Sequence, residues 1–324
     1  MKTAEYVRKG HPDRVCDIMS DAIVDAYLEQ DPESRIAVDV FGCHNVITIG
    51  GEVTSNAKID IPIIVKNVYK EIGYKDIIGT NVNITQQSPE ISSLANDGAG
   101  DSGIMIGYAT RETPEMIPLE TALAKRIADK LDEIECLLPD GKVQVTLIGD
   151  YIKKLVISFQ TKKGTENDSI SIIKQKIKEL VPNNLNQDTE WILIPFNIGG
   201  FDADSGLTGR KNVLWYGPRI ATGGGAFAGK DATKVDRSGA YFARWLAIDH
   251  LKKFLNCKEA FVSIAFVIGQ DEPVMLKLND LEYLDKTGDI TVKSIIERLN
   301  LKKPIFKETS LRGHFGTNMF NWDK

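Results

Sequence analysis

The chain has 324 residues, of which 42% are hydrophobic and 26% charged, and its formal net charge is −5 at pH 7. This length allows two or three compact units with full cores, whereas a negative chain without a basic run argues against non-specific nucleic-acid binding. No stretch approaches the ~20 apolar residues of a membrane span, and four widely spaced cysteines without a Cys-x-x-Cys motif are typical of reduced thiols. We expect a soluble cytoplasmic protein that binds neither nucleic acid nor membrane.

One order of predicted elements recurs three times along the chain. The first copy is a helix, a hairpin, a helix and a strand, predicted at Val15–Glu29, at Arg35–Val40 and Val46–Val53 around a turn at Gly42, at Ile61–Ile72 and at Val82–Thr85. The second copy repeats this order at Leu119–Ile134, Val143–Gln160, Ser169–Leu180 and Trp191–Phe196. The third copy has a helix, a hairpin and a helix, at Ser238–Leu255, Ala260–Leu278 and Val292–Leu299.

The hairpins start about 110 residues apart, which is the size of a small α+β domain. We therefore predict three similar α+β units at residues 1–97, 98–200 and 201–324, with interleaving possible at the boundaries. Apolar residues alternate in the third hairpin with the small residues Ser263 and Ala265. This pattern predicts sheets with one face on helices and the other face packed against a second subunit.

The segment from Gly223 to Ser238 carries the strongest functional signal. It combines a glycine-rich turn, which exposes backbone N–H groups, with lysines and aspartates suited to a polyphosphate and its divalent cation. The spacing approaches a P-loop, but Asp231 stands where that motif needs Ser or Thr. An acid must then hold the metal, and both Asp231 and Asp236 are candidates. The alternative is an ordinary glycine loop before a helix with a charged first turn.

Four other clusters could contribute to the same site. In Gly10-His11-Pro12-Asp13-Arg14, His11 could stabilise an oxyanion and Asp13 could bind a metal, although a capping aspartate beside an incidental histidine would look the same. Residues 202–211 place two acids and the adjacent cations Arg210 and Lys211 around tight turns, which favours a phosphate site. The glycine-rich residues 97–103 and the turn-like residues 139–142 are equally consistent with plain connections.

Together these segments resemble the S-adenosylmethionine synthetase (methionine adenosyltransferase) family. The resemblance extends nearly end to end and rests on these segments: Gly10-His11-Pro12-Asp13, Gly50-Gly51-Glu52, Gln87-Ser88-Pro89, Gly98-Ala99-Gly100-Asp101, Gly206-Leu207-Thr208-Gly209-Arg210-Lys211, Gly223 to Ser238, Lys307-Glu308-Thr309 and Gly313-His314-Phe315-Gly316. It implies three α+β domains about a pseudo-threefold axis. It also implies homodimers packed sheet against sheet, with active sites shared between subunits, which can pair into tetramers.

The resemblance further implies that methionine sulfur attacks the ribose C5′ of ATP, and that the released triphosphate is hydrolysed to pyrophosphate and phosphate. Each site would hold two Mg²⁺ ions, and potassium would be a further cofactor. The implied catalytic and ATP-binding residues are His11, Asp140, Lys142, Phe196, Asp204, Arg210, Lys211, Ala226 and Lys230. The implied methionine-binding residues are Glu52, Gln87, Asp204 and Lys234, and the implied metal ligands are Asp13 and Asp236 for magnesium and Asp39 for potassium.

Within these roles, His11 stabilises the departing oxygen, while Lys142, Arg210, Lys211 and Lys230 clamp the phosphates. Asp140 meets the nucleoside, Phe196 stacks on adenine, and Ala226 lines the nucleotide site.

Several positions depart from the family pattern. Asp39 stands where a potassium-binding Glu is usual, so we expect weak potassium dependence. Pro195 replaces an Arg, so we expect one phosphate or nucleotide contact to be missing, and Arg14 replaces a Lys. The stretch between Pro89 and Gly98 is short, so we expect a reduced lid and looser exclusion of methionine analogues. Two other functions stay open: a kinase or ATPase that transfers the γ-phosphoryl group, and a catalytically silent paralogue that binds nucleotide.

Overall fold

The computed structural model describes residues 1–75, 79–88, 98–282 and 289–324. The helices are α1 (Pro12–Gln30), α2 (Ile61–Ile72), α3 (Leu119–Asp132), α4 (Glu166–Leu180), α5 (Val235–Lys253), α6 (Val292–Leu299) and α7 (Phe306–Arg312). The strands are β1 (Lys2–Val7), β2 (Arg35–Cys43), β3 (Val46–Thr54), β4 (Gly79–Thr85), β5 (Gly103–Thr110), β6 (Leu137–Ile148), β7 (Tyr151–Thr161), β8 (Glu190–Phe196), β9 (Gly206–Leu207), β10 (Glu259–Phe266), β11 (Met275–Leu278) and β12 (Leu281–Glu282).

The described strands form three four-stranded sheets with one common plan. Their strand orders are β9-β2-β3-β4 in the first sheet, β1-β6-β7-β8 in the second and β5-β10-β11-β12 in the third. In each sheet, a hairpin lies beside a strand that comes from a distant part of the chain and pairs with it antiparallel. Helices α1, α3 and α5 pack on the hairpins of the first, second and third sheets. The prediction of three similar α+β units is therefore confirmed.

The fourth strand distinguishes the third sheet from the other two. Strands β4 and β8 run parallel to their neighbours β3 and β7, because α2 and α4 provide the crossover that a parallel pair requires. Strand β12 is antiparallel to β11 and follows it through Asn279 and Asp280, with φ of 50° and 64°. Two consecutive left-handed residues are typical of the tight turn that joins antiparallel strands.

The distant strands make the three units interleave. Strand β1 pairs with β6 of the second sheet, and β9 pairs with β2 of the first. Dividing the chain into three consecutive ranges therefore separates a strand from the sheet to which it belongs. The predicted division between residues 97 and 98 also falls next to residues outside the described part of the chain. The three residue ranges stay a prediction.

The predicted turn at Gly42 is wrong, and the turn-like residues 139–142 lie in a strand. Gly42 lies within β2 and pairs with Ile47; the ring of Phe201 contacts it so closely that a side chain would not fit, which explains the glycine without a turn. The turn comes after it, at His44, with φ of 49°. Residues 139–142 belong to β6, where the register with β7 shifts between Leu137 and Gly141. Turn-like residues such as Gly141 are common where the pairing of two strands is irregular, so this strand has the composition of a turn.

Candidate active site

A cleft of ≈ 370 Å³ opens on the face of the second sheet that points away from its helices. Lys142, Ser158 and Phe196, from the three neighbouring strands β6, β7 and β8, line its floor. His11 at the start of α1 and Asp204 from the loop before β9 form its walls. The cleft therefore brings together five of the predicted ATP-binding residues: His11, Asp140, Lys142, Phe196 and Asp204.

His11 is the cap residue of α1 and lies in this cleft. Its Nδ1 accepts a hydrogen bond of 3.3 Å from the backbone N–H of Asp13, which fits the frequent role of a polar side chain at a helix start. Burial, reinforced by the Lys211 ammonium, lowers the pKa of His11 to about 4. The ring is therefore neutral near pH 7, and because Nδ1 accepts, its proton is on Nε2, which can donate to an anionic ligand.

Asp13, the predicted magnesium ligand, is buried among predicted phosphate cations. Its carboxylate forms an ion pair with the Lys211 ammonium and lies 3.4 Å from the Arg210 guanidinium. The backbone N–H of Leu207 donates to the same carboxylate at 3.0 Å. The first turn of α1 and the strand-and-turn segment that starts at β9 thus form one charged cluster.

Asp236, the second predicted magnesium ligand, is paired with a lysine as Asp13 is. The Lys230 ammonium lies 2.8 Å from the Asp236 carboxylate, and burial raises the pKa of Asp236 although Lys230 opposes this. Asp231 is engaged elsewhere, because its carboxylate accepts hydrogen bonds from the backbone N–H of Ile36 at 2.6 Å and from Thr233. Of the two acids that the sequence left open, Asp236 is the one that faces Lys230.

The two charged clusters share one continuous surface. The Asn212 side chain donates a 2.7 Å hydrogen bond to the Gly225 carbonyl, and the Gly225 backbone lies against the Asp236 carboxylate. Gly209, which precedes Arg210, packs against Ala226. The loop with Arg210 and Lys211 is therefore fixed beside the glycine-rich loop with Lys230.

The glycine-rich loop is not built as a P-loop. Isolated bridges tie its ends to two different sheets, with Gly223 opposite Met105 and Lys230 opposite Ala37. Helix α5 begins only at Val235, after a cap at Lys234, whereas a P-loop leads directly from a strand into the helix that receives the phosphates. The near-match in sequence therefore does not correspond to the P-loop architecture.

Asp140 and Lys234 have close protein partners. The Asp140 carboxylate accepts hydrogen bonds from the backbone N–H groups of Gly141 and Gly200, at 2.7 and 2.8 Å, so it shapes the cleft wall. Lys234 is buried 3.7 Å from Asp231, and the adjoining Thr233 carbonyl accepts from Gly100 in the second glycine-rich loop. The predicted contacts of Asp140 with nucleoside and Lys234 with methionine stay predictions.

The remaining predicted residues lie at the first sheet. Asp39 is on its outer face, and burial raises the pKa of its carboxylate although Lys230 opposes this. Glu52 is paired with Ala37, the residue whose backbone bridges to Lys230. Gln87 follows β4, whose last residue Thr85 pairs with Glu52. Asp39, Glu52 and Gln87 therefore lie towards Lys230, whereas Asp204, the other acidic methionine candidate, lies in the cleft with His11.

Comparisons with known proteins agree with this arrangement. Models of the N-terminal, central and C-terminal domains of S-adenosylmethionine synthetase match residues 1–95, 96–198 and 198–324. The chain belongs to the S-adenosylmethionine synthetase family. It is 36% identical to the S-adenosylmethionine synthase of Thermus thermophilus, and 37% identical to those of Brachyspira hyodysenteriae and Sorangium cellulosum. These matches cover 99% of this chain and 95%, 95% and 87% of the respective relatives.

The acids of this S-adenosylmethionine synthetase site suit a metal that binds together with substrate. Among the residues that the structure describes, no three His, Cys, Asp or Glu side chains are placed to hold a metal by themselves. Mg²⁺ is usually held by one or two carboxylates with substrate phosphates and waters. Asp13 and Asp236 fit that pattern, because each lies beside cations that would contact the same phosphates.

Sequence reasoning missed one acid next to the candidate site. Asp101 lies beside Asp236 and raises the pKa of its carboxylate, so two acids rather than one are next to Lys230. The available signal was the family-like segment Gly98-Ala99-Gly100-Asp101, to which the sequence assigned no chemical role. The short stretch predicted to reduce the lid, between Pro89 and Gly98, lies outside the described residues.

Proposed function

We propose that this chain synthesises S-adenosylmethionine from ATP and L-methionine, with release of triphosphate that is hydrolysed to pyrophosphate and phosphate. The observation that supports this most strongly is the pairing of Lys211 with Asp13 and of Lys230 with Asp236 along one surface. Such a surface carries alternating positive and negative groups, as a triphosphate with bound magnesium requires.

The reaction is a displacement at carbon, in which the methionine sulfur forms a bond to C5′ while the C5′–O bond breaks. The electron pair of that bond leaves with the triphosphate. Because a thioether is a weak nucleophile, alignment and neutralisation of the departing charge must supply most of the acceleration. Arg210, Lys211, Lys230 and Lys142 supply positive charge, and neutral His11 donates its Nε2 proton in a hydrogen bond to the leaving oxygen.

Magnesium, held by Asp13 and Asp236, would neutralise phosphate charge when ATP is bound. The lysines paired with these acids then exchange a carboxylate partner for phosphate oxygens. Two ions per site follow from the two separate acids, Asp13 in the first turn of α1 and Asp236 in the first turn of α5.

The candidate side chains suggest which part of each substrate they bind. Phe196 in the cleft offers a ring for adenine stacking. Glu52, Gln87, Asp204 and Lys234 supply the charged and polar groups that methionine's ammonium and carboxylate need. Asp39 is the potassium candidate, with the weak dependence expected of its short side chain.

We propose that a second copy of the chain completes the site. The outer sheet faces expose apolar side chains, which is typical of a surface that another protein covers. Phe41 and Leu207 on the first sheet are 43% and 37% exposed, and Ile104 on the third is 57% exposed. The candidate residues Asp39, Glu52 and Lys142 lie on outer faces too, so a partner covering these sheets would close over the substrates. Pairing of such dimers would give a tetramer.

For its location we propose the cytoplasm, in line with four free cysteines, all of them in the described residues. None of the described helices combines the length and the apolar character that a bilayer crossing needs.

Product analysis tests the proposed function. Purified protein incubated with labelled methionine, ATP and Mg²⁺ should give labelled sulfonium product together with pyrophosphate and phosphate. ADP as the nucleotide product would instead indicate a phosphotransferase, and bound ATP without any product would indicate a silent paralogue.

A further inference from the structure

Helix α1 has a row of four aspartates on one face. Asp13, Asp17, Asp21 and Asp25 follow each other at four-residue intervals, and none is more than 8% exposed. Residues spaced by four lie on the same side of a helix, about 6 Å apart along its axis. Buried carboxylates need partners, and each member of this row accepts a backbone hydrogen bond: Asp13 and Asp17 from residues 207 and 209, Asp21 from Gly229 and Asp25 from Phe306.

The two central aspartates bind the turns that carry the phosphate cations. Asp17 accepts a 2.7 Å hydrogen bond from the Gly209 N–H, and Asp21 accepts one of 2.9 Å from the Gly229 N–H. Gly209 immediately precedes Arg210 and Lys211, and Gly229 immediately precedes Lys230. Asp17 and Asp21 of α1 therefore hold the backbone immediately before these three cationic residues.

Both turns need this support. Gly209 and Gly229 have φ of 83° and 81°, a conformation that glycine adopts freely but that other residues rarely adopt. A carboxylate that accepts a backbone N–H makes a stronger bond than a neutral acceptor does. Each bond therefore selects one geometry from the wide range that a glycine turn could adopt.

We propose that Asp17 and Asp21 are positioning residues, which use the pitch of α1 to fix the Arg210–Lys211 turn and the Lys230 turn one helical turn apart. The inference rests on the proposed function, since it assumes that these cations bind the triphosphate. Misplacement of a catalytic group by about 1 Å can cost roughly 10²-fold in rate, so this spacing acts on catalysis and on triphosphate affinity.

Asp25 provides an internal control. It belongs to the same row and accepts two backbone hydrogen bonds, from Phe306 at 2.9 Å and Lys307 at 2.8 Å. Those residues begin α7, which carries none of the proposed phosphate cations. Burial raises the pKa of both Asp17 and Asp25 to about 7, so the two sites match in environment and differ in the segment that they hold.

The test compares Asp17→Leu, Asp17→Asn and Asp25→Leu in the full-length protein. Three quantities are measured: kcat and KM per folded site, the affinity for inorganic triphosphate by calorimetry, and the thermal unfolding midpoint. We expect Asp17→Leu to lower kcat and triphosphate affinity by at least about tenfold, with the KM for methionine changed less than about threefold. Asp17→Asn keeps an oxygen acceptor and should restore both quantities to within about threefold of the parent protein.

Asp25→Leu should lower the unfolding midpoint while kcat and triphosphate affinity stay unchanged. If a leucine variant does not fold, the same comparison is made with Asp17→Ala and Asp25→Ala. Equal losses of triphosphate affinity at positions 17 and 25, or unchanged kcat in both Asp17→Leu and Asp17→Ala, would overturn the inference. Lys230→Ala in the same assays separates failure of the positioning role from failure of the proposed function. If Lys230→Ala lowers kcat and the Asp17 variants do not, only the positioning role fails. If Lys230→Ala leaves kcat unchanged, the proposed function is undermined.

Discussion

The Lys230 ammonium lies 2.8 Å from the Asp236 carboxylate, so a proposed phosphate ligand and a proposed magnesium ligand neutralise each other in the free protein. The same relationship holds for Lys211 and Asp13. Pairing offsets part of the desolvation cost that each of these charges would carry alone before substrate binds. When ATP and magnesium bind, each member of the pair finds the partner with the charge that it needs.

Replacing the lysine of this pair should slow the chemical step. Lys230→Ala is expected to reduce kcat by at least ~10²-fold, because it removes a positive charge from the developing triphosphate anion. Steady-state kinetics with saturating ATP and methionine measure the effect. A reduction of less than about threefold would make Lys230 a spectator.

Replacing the acid should act through the metal. Asp236→Asn keeps the shape of the side chain but weakens a Mg²⁺ ligand, since amides are poorer ligands for this ion than carboxylates are. We expect the Mg²⁺ concentration for half-maximal activity to rise several-fold, with partial recovery of the rate at high Mg²⁺. A Mg²⁺ titration identical to that of the parent protein would show that Asp236 does not hold the ion.

Asp25 should make stability depend on pH in an unusual direction. Burial raises its pKa to about 7, against the opposing effect of the Lys307 and Phe306 N–H groups, whereas an unfolded aspartate titrates near pH 4. Between about pH 4 and pH 7 the folded protein holds a proton on Asp25 that the unfolded chain has released. The stabilisation that this proton provides is therefore complete below about pH 4 and is lost as the pH rises towards 7.

Asp25→Asn removes that titration, so its free energy of unfolding should fall less steeply between about pH 5 and 7. Asp17 also has a pKa raised to about 7, so the free energy of unfolding of the variant still falls with pH because of Asp17. Urea unfolding of both proteins across this range measures the difference. Parallel stability curves would contradict the pKa assigned to Asp25.

Potassium should have little effect on turnover. Asp39 is one methylene shorter than glutamate, and Lys230 already provides a nearby positive charge. Equal kcat with and without K⁺ is therefore expected, and Asp39→Glu should introduce a dependence by extending the carboxylate. Collapse of the parent activity on removing K⁺ would refute this prediction.

The outer face of the first sheet should be a subunit contact. Phe41→Arg is expected to shift the protein from dimer to monomer and to reduce activity, because an ion would be buried against the partner. Leu255→Arg is the matched control, since Leu255 is 78% exposed just after α5 and lies outside the sheets. Light scattering gives the mass, and a dimer retained in Phe41→Arg would count against sheet-to-sheet packing.

The sequence predicted most local elements well. The bounds of α2 and α6 are those expected, because strong helical periodicity coincides with the side-chain caps Asp60 and Thr291. Strand β9 was missed because it is only two residues long, Gly206–Leu207, and exists through pairing with Phe41 and Gly42 far along the chain. No local pattern can indicate such a pairing.

The candidate site divides in the same way. The cations could be found because they stand beside glycines, and family motifs gave them roles. The positions of Asp17 and Asp21 could not be interpreted, since charged residues spaced by four on a helix normally form its solvent face. Only the packing of residues 206–209 and 229 against α1 shows that this face is buried.

A structure with Mg²⁺ and a non-hydrolysable ATP analogue tests the central claim most directly. We predict that the triphosphate contacts His11, Arg210, Lys211 and Lys230, with metal ions at Asp13 and Asp236. Triphosphate density away from these side chains, or cations that point in unrelated directions around it, would contradict the account.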